Sequence, residues 1–355
     1  MTLRRLNRAA TPVAAAALSA FLLAGPSISL SQQPQLAPWA LAAGPGSELP
    51  TEALLSVEVL PFSAVPSSAS EVRDAEGRYQ AYLLRRLLEE STQWGAVRML
   101  ADASAGFELV VRGEIQRATP QQLALAIQAT DATGKVWLDQ VYQQTADAEN
   151  YAGGQEPFLG LFRRVAGDLA AVRNSLSLGA LDNILTVATL RRAGTFAPDA
   201  FGTYLTETEG IYQVNRLPAE GDPLFAQLDR IAEAQALFAD AMDPNFERFF
   251  KDIQPTYILW RKTLLESDSL MSTYREKSAR KSSRDKSARA IYRELRELKL
   301  YQQTVRETME SFVFRMEPTK LETQGQVVEL GGTLAEQTAQ WQDILNRMFA
   351  AEVGL

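Results

Sequence analysis

Residues 107–142 have the sequence FELVVRGEIQRATPQQLALAIQATDATGKVWLDQVY, and this stretch decides the fold of the amino-terminal half. Apolar residues occupy every second position from Leu123 to Ala129, which is the period of a strand with one buried face. Asp131-Ala132-Thr133-Gly134 has the composition of a turn, with a glycine available for a positive φ. The stretch therefore predicts three consecutive β-strands joined by short turns.

Four further elements flank these strands. Residues 54–62 alternate as a strand that Pro61 ends, and residues 96–100 form a second short apolar run. Arg78–Glu90 and Gln155–Asn174 carry apolar residues at helical spacing. The predicted order β-α-β-β-β-β-α is typical of an α+β domain built of a helix layer and a sheet layer.

Two amino acids that carry much of enzyme chemistry are absent from the chain. Without cysteine there are no disulfides, thiolate metal sites or cysteine nucleophiles. Without histidine there is no Ser-His-Asp triad and no imidazole base or metal ligand. Carboxylate-only glycosidase chemistry, Ser-Lys chemistry and an Asp/Glu metal site remain open. We predict no catalytic residue, cofactor or metal in this protein.

The first 42 residues have the pattern of a bacterial export signal. Three arginines among the first eight residues precede an apolar run, Val13–Ala24, and Ala40–Ala42 offers an A-x-A cleavage site. The distance between the run and this site leaves an uncleaved anchor as an alternative. No cysteine follows the run, which excludes a lipoprotein, and residues 43–51 have the composition of a flexible leader. We therefore predict a periplasmic protein.

A dense basic segment, residues 275–293, stands out in an acidic chain whose formal net charge is −7. Its cations are Arg275, Lys277, Arg280, Lys281, Arg284, Lys286, Arg289 and Arg293. The functional interpretation is a surface for an anionic partner such as lipid headgroups, lipopolysaccharide or an acidic protein face. The structural alternative is a solvated helix or connection. Aromatic residues are absent from 277–290 and the chain is acidic overall, so nucleic acid is not predicted as a partner.

Three motifs in the amino-terminal half resemble one protein family. They are the Val57–Phe62 opening, the strand Leu109–Ile115 and the turn Ala129–Trp137. Together with the order of elements, they resemble the TolB amino-terminal-domain-like group, which includes CsgG-type envelope proteins, over about residues 52–178. The resemblance implies a binding or assembly module of the bacterial envelope and lends no catalytic residues.

The predicted organisation after residue 178 is a linker, 179–200, and a helical domain, 201–317. The segments Phe201–Leu205, Gly210–Arg216 and Asp243–Phe246 resemble parts of one tetratricopeptide unit, as in the repeats that often follow TolB-like domains. No second copy follows at the expected spacing, and a solenoid needs about three repeats. The interpretation is a degenerate helical repeat or, more simply, a helical hairpin or bundle.

Two heptad seams support the bundle. The first consists of Phe246, Phe250, Ile253, Tyr257, Trp260 and Leu264, and the second of Ile291, Leu295, Leu298, Gln302, Val305, Met309, Phe312 and Met316. Two long helices with such seams can pack together within one chain or between two copies of it, so a homo-oligomer through the helices is open. Pro255 lies inside the first seam and predicts a kink or interruption there.

The carboxy-terminal residues, 318–355, predict a small hairpin followed by a capping helix. Thr319–Glu322 and Gln326–Leu330 flank Gln324-Gly325, and Gly331-Gly332 leads into the helix. Two placements are open for this unit. It packs on the long helices or it extends the first sheet.

Acidic pairs and tryptophans are the remaining candidate site residues. The pairs Glu89/Glu90 and Glu207/Glu209 do not face each other on a helix, so we predict surface glutamates. Trp94, Trp137, Trp260 and Trp341 lie on or beside apolar faces and are predicted in the core.

The function predicted from these patterns is protein–protein binding or assembly by a non-enzymatic, exported envelope protein. One alternative is a carboxylate-dependent hydrolase of envelope glycans, which needs two acidic side chains about 5–10 Å apart in a pocket. The other is attachment to a membrane surface through the basic segment.

Overall fold

The computed structural model describes residues 54–64, 70–100, 106–219, 222–279, 318–323, 326–332 and 334–353, with scattered helical positions between 289 and 307. The predicted export signal and leader lie outside these residues. The strands are β1 (Val57–Val59), β2 (Ser63–Ala64), β3 (Val97–Met99), β4 (Leu109–Ala118), β5 (Gln122–Asp131), β6 (Val136–Thr145), β7 (Leu205–Thr208), β8 (Ile211–Val214), β9 (Thr319–Thr323) and β10 (Gln326–Leu330). The helices are α1 (Ser70–Glu90), α2 (Leu159–Ser175), α3 (Leu178–Phe196), α4 (Pro198–Phe201), α5 (Pro223–Ala279) and α6 (Leu334–Val353).

The predicted three-strand stretch is the antiparallel half of a mixed sheet with the order β3-β1-β4-β5-β6. Strand β1 lies parallel to both β3 and β4, and the short β2 also pairs with β4. On β5 the side chains from Leu123 to Ala129 that share one face are buried, whereas Gln128 on the other face is exposed. This alternation confirms the predicted strands and the α+β fold class.

Helices α1 and α2 cover the buried face of the sheet, and the Pro-Phe end of the first strand fixes α1 against it. The ring of Phe62 occupies the space that a side chain at Gly113 would need, since a Cβ there would lie 2.6 Å from the ring. A Cβ at Gly77 of α1 would overlap the carbonyl oxygen of Phe62. Glycine is needed at both positions because the backbones approach so closely.

The predicted linker, 179–200, is wrong for most of its length. Helix α3 runs through it and buries Leu181, Ile184 and Val187 in the same core as the sheet. The hydroxyl of Ser177 caps this helix by accepting from the backbone N–H of Ala180 at 3.2 Å. A segment that buries this much apolar surface is part of the fold and does not act as a flexible connection.

Residues 205–214, predicted as part of a tetratricopeptide-like helix pair, instead form the hairpin β7–β8. Glu209 and Gly210 both have positive φ, which is the requirement of a tight two-residue hairpin turn. The backbone N–H of Tyr212 donates to the carbonyl of Thr133 at 2.9 Å, so the hairpin docks on the β5–β6 turn. The tetratricopeptide interpretation fails here because the chain turns back after four residues.

Helix α5 is 57 residues long and includes Pro244 and Pro255. Of the kink or interruption predicted at Pro255, an interruption is absent, and no turn follows the Asp243–Phe246 segment. Five of the six residues of the first seam are buried and Leu264 is half-buried, but the seam packs on α1. The rings of Phe250 and Tyr82 stack with centroids 4.4 Å apart, and those of Tyr257 and Tyr79 lie 4.6 Å apart.

The second seam falls mostly outside the described residues, and its described member Leu295 is exposed. No helix in the described part of the chain is both long enough and apolar enough to cross a membrane.

The carboxy-terminal hairpin and helix follow the first of the two predicted placements. Strands β9 and β10 form a separate two-stranded sheet, and both β9 and α6 contact α5. Trp341 of α6 stacks on Phe238 of α5 with ring centroids 5.5 Å apart. The hydroxyl of Thr319 donates to Gln337 of α6 at 2.7 Å, which closes the unit on itself.

Candidate functional site

A buried polar cluster joins α1 to α5 at the centre of the first seam. Arg261 and Glu76 form an ion pair at 3.0 Å with side chains that are 1% and 2% exposed. Tyr257 and Arg261 lie one turn apart on α5, while Glu76, Tyr79 and Gln80 lie one turn apart on α1. Helical spacing therefore points both groups at each other. We call these five residues, with Glu156, the Glu76–Arg261 cluster.

The hydroxyl of Tyr257 connects the members of the cluster. It donates to Glu76 Oε1 at 3.1 Å and accepts from Arg261 Nη1 at 2.7 Å and from Gln80 Nε2 at 3.2 Å. Arg261 Nη2 also donates to the carbonyl oxygen of Thr119 at the β4–β5 turn. The phenol hydroxyl thus uses its one donor and both of its acceptor positions within the cluster.

Glu156, in the loop before α2, is the second buried carboxylate of the cluster. It accepts from the hydroxyl of Tyr79 at 3.1 Å and from the backbone N–H of Phe158 at 3.3 Å. Burial raises the pKa of Glu156, and Arg261 opposes this rise. The carboxyl group also stands at the start of α2, where the helix dipole favours negative charge.

Burial and the neighbouring groups act in opposite directions on Arg261. Burial alone would lower the pKa of Arg261, but the surrounding Tyr257 and Glu76 raise it above its ordinary value. Burial raises the pKa of Tyr257, which therefore stays a neutral phenol. Such a buried network of hydrogen bonds and charges holds α1 and α5 in one arrangement.

A cavity of about 570 Å³ lies beside the cluster, between α1, α2 and α5. Its lining comprises Arg86, Tyr151, Ala152, Gly154, Gln155, Glu156, Leu159, Arg163, Gln254, Pro255, Ile258, Leu259 and Lys262. We call it the α1–α2–α5 cavity. Glu156 is the one carboxylate among these lining residues, whereas three are cations. A glycosidase pair of carboxylates is therefore not present in this cavity.

A second cavity, of about 640 Å³, lies at the other end of the sheet. Its lining also includes one carboxylate, Glu108, which accepts from the backbone N–H of Ser56 at 3.0 Å. Burial raises the pKa of Glu108 and lowers that of its neighbour Arg192. Arg192 donates to the carbonyl of Gly106 at 2.6 Å, so both charged groups are engaged by the backbone.

The face of the sheet opposite α1 and α2 carries exposed or half-buried side chains in three adjacent strands. Cross-strand pairing aligns Arg112, Gln128 and Asp139 in one row and Glu114, Ala126 and Val141 in the next, with Gln143 beyond them. We call these seven residues the open sheet face. Within the described sheet its outermost strand is β6, which is ten residues long.

Four of the eight predicted basic residues lie in the part of the chain that the structure describes. Arg275 and Lys277 belong to α5, and Arg289 and Arg293 are exposed at helical positions. The other four predicted cations, Arg280, Lys281, Arg284 and Lys286, lie outside the described residues.

Two sequence predictions, on the acidic pairs and on the tryptophans, are confirmed. All four acids of the pairs Glu89/Glu90 and Glu207/Glu209 are exposed. Trp94, Trp137, Trp260 and Trp341 are all buried.

In the described part of the chain, no three or more Asp or Glu side chains lie together in a group that could hold a metal.

The members of the Glu76–Arg261 cluster were not predicted as a site. One signal was available, because Arg261 follows the seam residue Tyr257 by one helical turn. A charged residue at the edge of a buried seam needs an opposite charge. The sequence does not name that partner, since Glu76 lies 185 positions away.

Comparisons with known proteins identify no relative of this chain: no family model, no curated protein and no solved structure matches it. The resemblance of residues 52–178 to TolB-like domains therefore stays a prediction from sequence motifs.

Proposed function

We propose that this protein is a non-enzymatic, exported module of the bacterial envelope that binds a partner protein in the periplasm through strand β6 and the open sheet face. The observation that carries the proposal is the character of β6. It ends the described sheet, and its ten residues include a single charged one, Asp139.

Natural proteins protect a sheet edge with lysine, proline, bulges or short strands, because an unprotected edge pairs with other chains. Strand β6 contains neither lysine nor proline, and Val141 at its middle is 59% exposed. Its pairing with β5 has one register shift, near its start, and Arg164 of α2 donates to the carbonyl of Gln143 near its end, so the unprotected part of the edge is centred on Val141. An edge of this kind accepts an added strand from a partner, whose backbone supplies hydrogen bonds while side chains supply specificity.

The rest of the fold holds this surface rigid. Helices α1 and α2 pack on the opposite face, and the Glu76–Arg261 cluster fastens α5 to α1. A rigid binding surface costs little conformational entropy when the partner docks. Each of the two cavities is lined by one carboxylate, whereas a glycosidase needs two, and this favours binding over carboxylate catalysis.

The experiment compares Val141→Lys with Leu178→Lys in the full chain. Leu178 is 60% exposed and lies on α3, so it matches Val141 in exposure but not in place. Proteins that copurify with wild type after in-cell crosslinking are expected to be lost with Val141→Lys and kept with Leu178→Lys. Equal recovery with both variants would contradict the proposal.

A further inference from the structure

We infer that the α1–α2–α5 cavity binds an amphipathic organic anion, an apolar chain that ends in a carboxylate or phosphate group. This is a second binding function, separate from the partner surface on β6. It follows from the size of the cavity, from the apolar residues of its wall and from the three cations that surround it.

The size and the apolar wall fit a small organic molecule. A volume of about 570 Å³ lies within the range of small-molecule sites, roughly 300–1,000 Å³. Leu159 of α2 and Pro255, Ile258 and Leu259 of α5 line it. Leu259 is 41% exposed, whereas its neighbours Ile258 and Trp260 are buried. An apolar ligand chain that covers this side chain removes apolar surface from water.

The cations come from three different helices that converge on the cavity. Arg86 belongs to α1, Arg163 to α2 and Lys262 to α5. Two of them have ion pairs with glutamates one turn away, Arg86 with Glu90 at 3.4 Å and Lys262 with Glu266 at 4.0 Å. Pairs this exposed contribute about 0–1 kcal/mol, so a ligand anion readily replaces them.

The sign of the charge selects the ligand. Three cations face one carboxylate, Glu156, and that carboxylate is already held by Tyr79 and the backbone of Phe158. Once a ligand anion takes the place of Glu90 and Glu266 in the two exposed ion pairs, the cations of the lining outnumber its carboxylate, in a chain whose net charge is −7. Arginine forks bind carboxylate and phosphate oxygens in pairs, which gives such bonds both strength and a fixed geometry.

Titration calorimetry on the full-length protein tests the inference with four probes, which separate the contribution of the anionic group from that of the hydrocarbon tail. Decanoate and decyl phosphate have both an anionic group and a tail, decan-1-ol lacks the negative charge, and acetate lacks the tail. At least one of the two long anions is expected to bind about tenfold or more tightly than decan-1-ol, with acetate undetected. No measurable binding of either long anion, or equal binding of decan-1-ol, would overturn the inference.

Variants of the lining residues localise the binding. Arg163→Gln and Lys262→Gln are each expected to weaken the long anion about tenfold. Leu259→Gln should weaken the binding of the long anion and the binding of decan-1-ol by similar factors. The matched control is Arg112→Gln on the open sheet face, which should leave binding unchanged. All four side chains lie at or near the surface, so the variants should fold. Equal affinity in all four would place the ligand elsewhere and refute the site.

Discussion

Arg261 of α5 and Glu76 of α1 lie 3.0 Å apart in the interior although 185 positions separate them in the chain. The pair ties the long helix to the sheet-bearing half of the molecule. The rings of Phe158 and Tyr257 lie against the guanidinium of Arg261, with centroids 4.9 and 5.6 Å from its Cζ, and both side chains of the pair are almost fully buried. Removing one partner of such a buried pair lowers the stability of the protein strongly, because the other charge then stays buried without a counter-charge.

Glu76→Gln should lower the free energy of unfolding by about 3–5 kcal/mol in urea denaturation, since Arg261 loses its buried counter-charge. The double variant with Arg261→Met should lose less than the sum of the two single variants. Lys262→Met is the control, because its partner Glu266 is exposed and the pair is weak. A loss no larger for Glu76→Gln than for the control would show that the pair does not hold α5.

The titration of Asp243 makes the free energy of unfolding depend on pH, and the direction of its pKa shift determines the sign of that dependence. Burial raises the pKa of Asp243 from 3.8 to about 6, and the partner Arg85 at 2.7 Å opposes the rise without cancelling it. Between these values the folded protein holds a proton that the unfolded chain has released. Stability from this group therefore falls as pH rises from about 4 to 6.

Asp243→Asn should flatten that part of the pH profile by up to about 3 kcal/mol, as measured by denaturation at several pH values. Some slope remains, because the raised pKa of Glu156 acts in the same direction. The control Asp139→Asn changes an exposed carboxylate on β6, at the opposite edge of the sheet from β3, and it should leave the slope as in wild type. A steeper profile for Asp243→Asn would contradict the assigned sign.

The docking of the β7–β8 hairpin depends on Gly134. Its φ is +88°, and a Cβ there would overlap the carbonyl oxygen of Gly210. Gly134→Ala should cost about 2–4 kcal/mol and accelerate hydrogen exchange at the amide of Tyr212, which donates to Thr133.

Gly210→Ala is the matched control for this prediction. Gly210 also has a positive φ, +82°, but open space surrounds its Cβ position. We expect only the backbone cost of about 1 kcal/mol. Equal losses in the two variants would mean that strain, and not contact with the hairpin, makes glycine necessary at position 134.

Local patterns in the sequence predicted the sheet and the carboxy-terminal unit. The alternation from Leu123 to Ala129 and the turn at Asp131–Gly134 specify their strands within a few residues. The structure adds the reason for the turn: Asp131 accepts from the backbone of Thr133 and Lys135 and from Trp137 Nε1. Such contacts are short in sequence, which is why pattern reasoning finds them.

The predictions that the structure contradicts concern segments whose conformation depends on contacts with residues far away in the sequence. The segment 179–200 has glycines and modest periodicity, yet the core it meets makes it a helix. Pro255 does not end α5, because packing on α1 and the sheet outweighs the lost hydrogen bond. The first seam packs on α1, whose residues Tyr79 and Tyr82 precede the seam by more than 150 positions in the sequence.

Site-specific photo-crosslinking in cells shows whether a partner protein binds at β6. A photoreactive amino acid at Val141 should yield crosslinked products of defined mass, whereas the same residue at Leu178, equally exposed on α3, should yield none of them. Addition of Asp139→Lys, which protects the edge with charge, should abolish the products from position 141. Identical product patterns from positions 141 and 178, or no product from 141, would contradict the account.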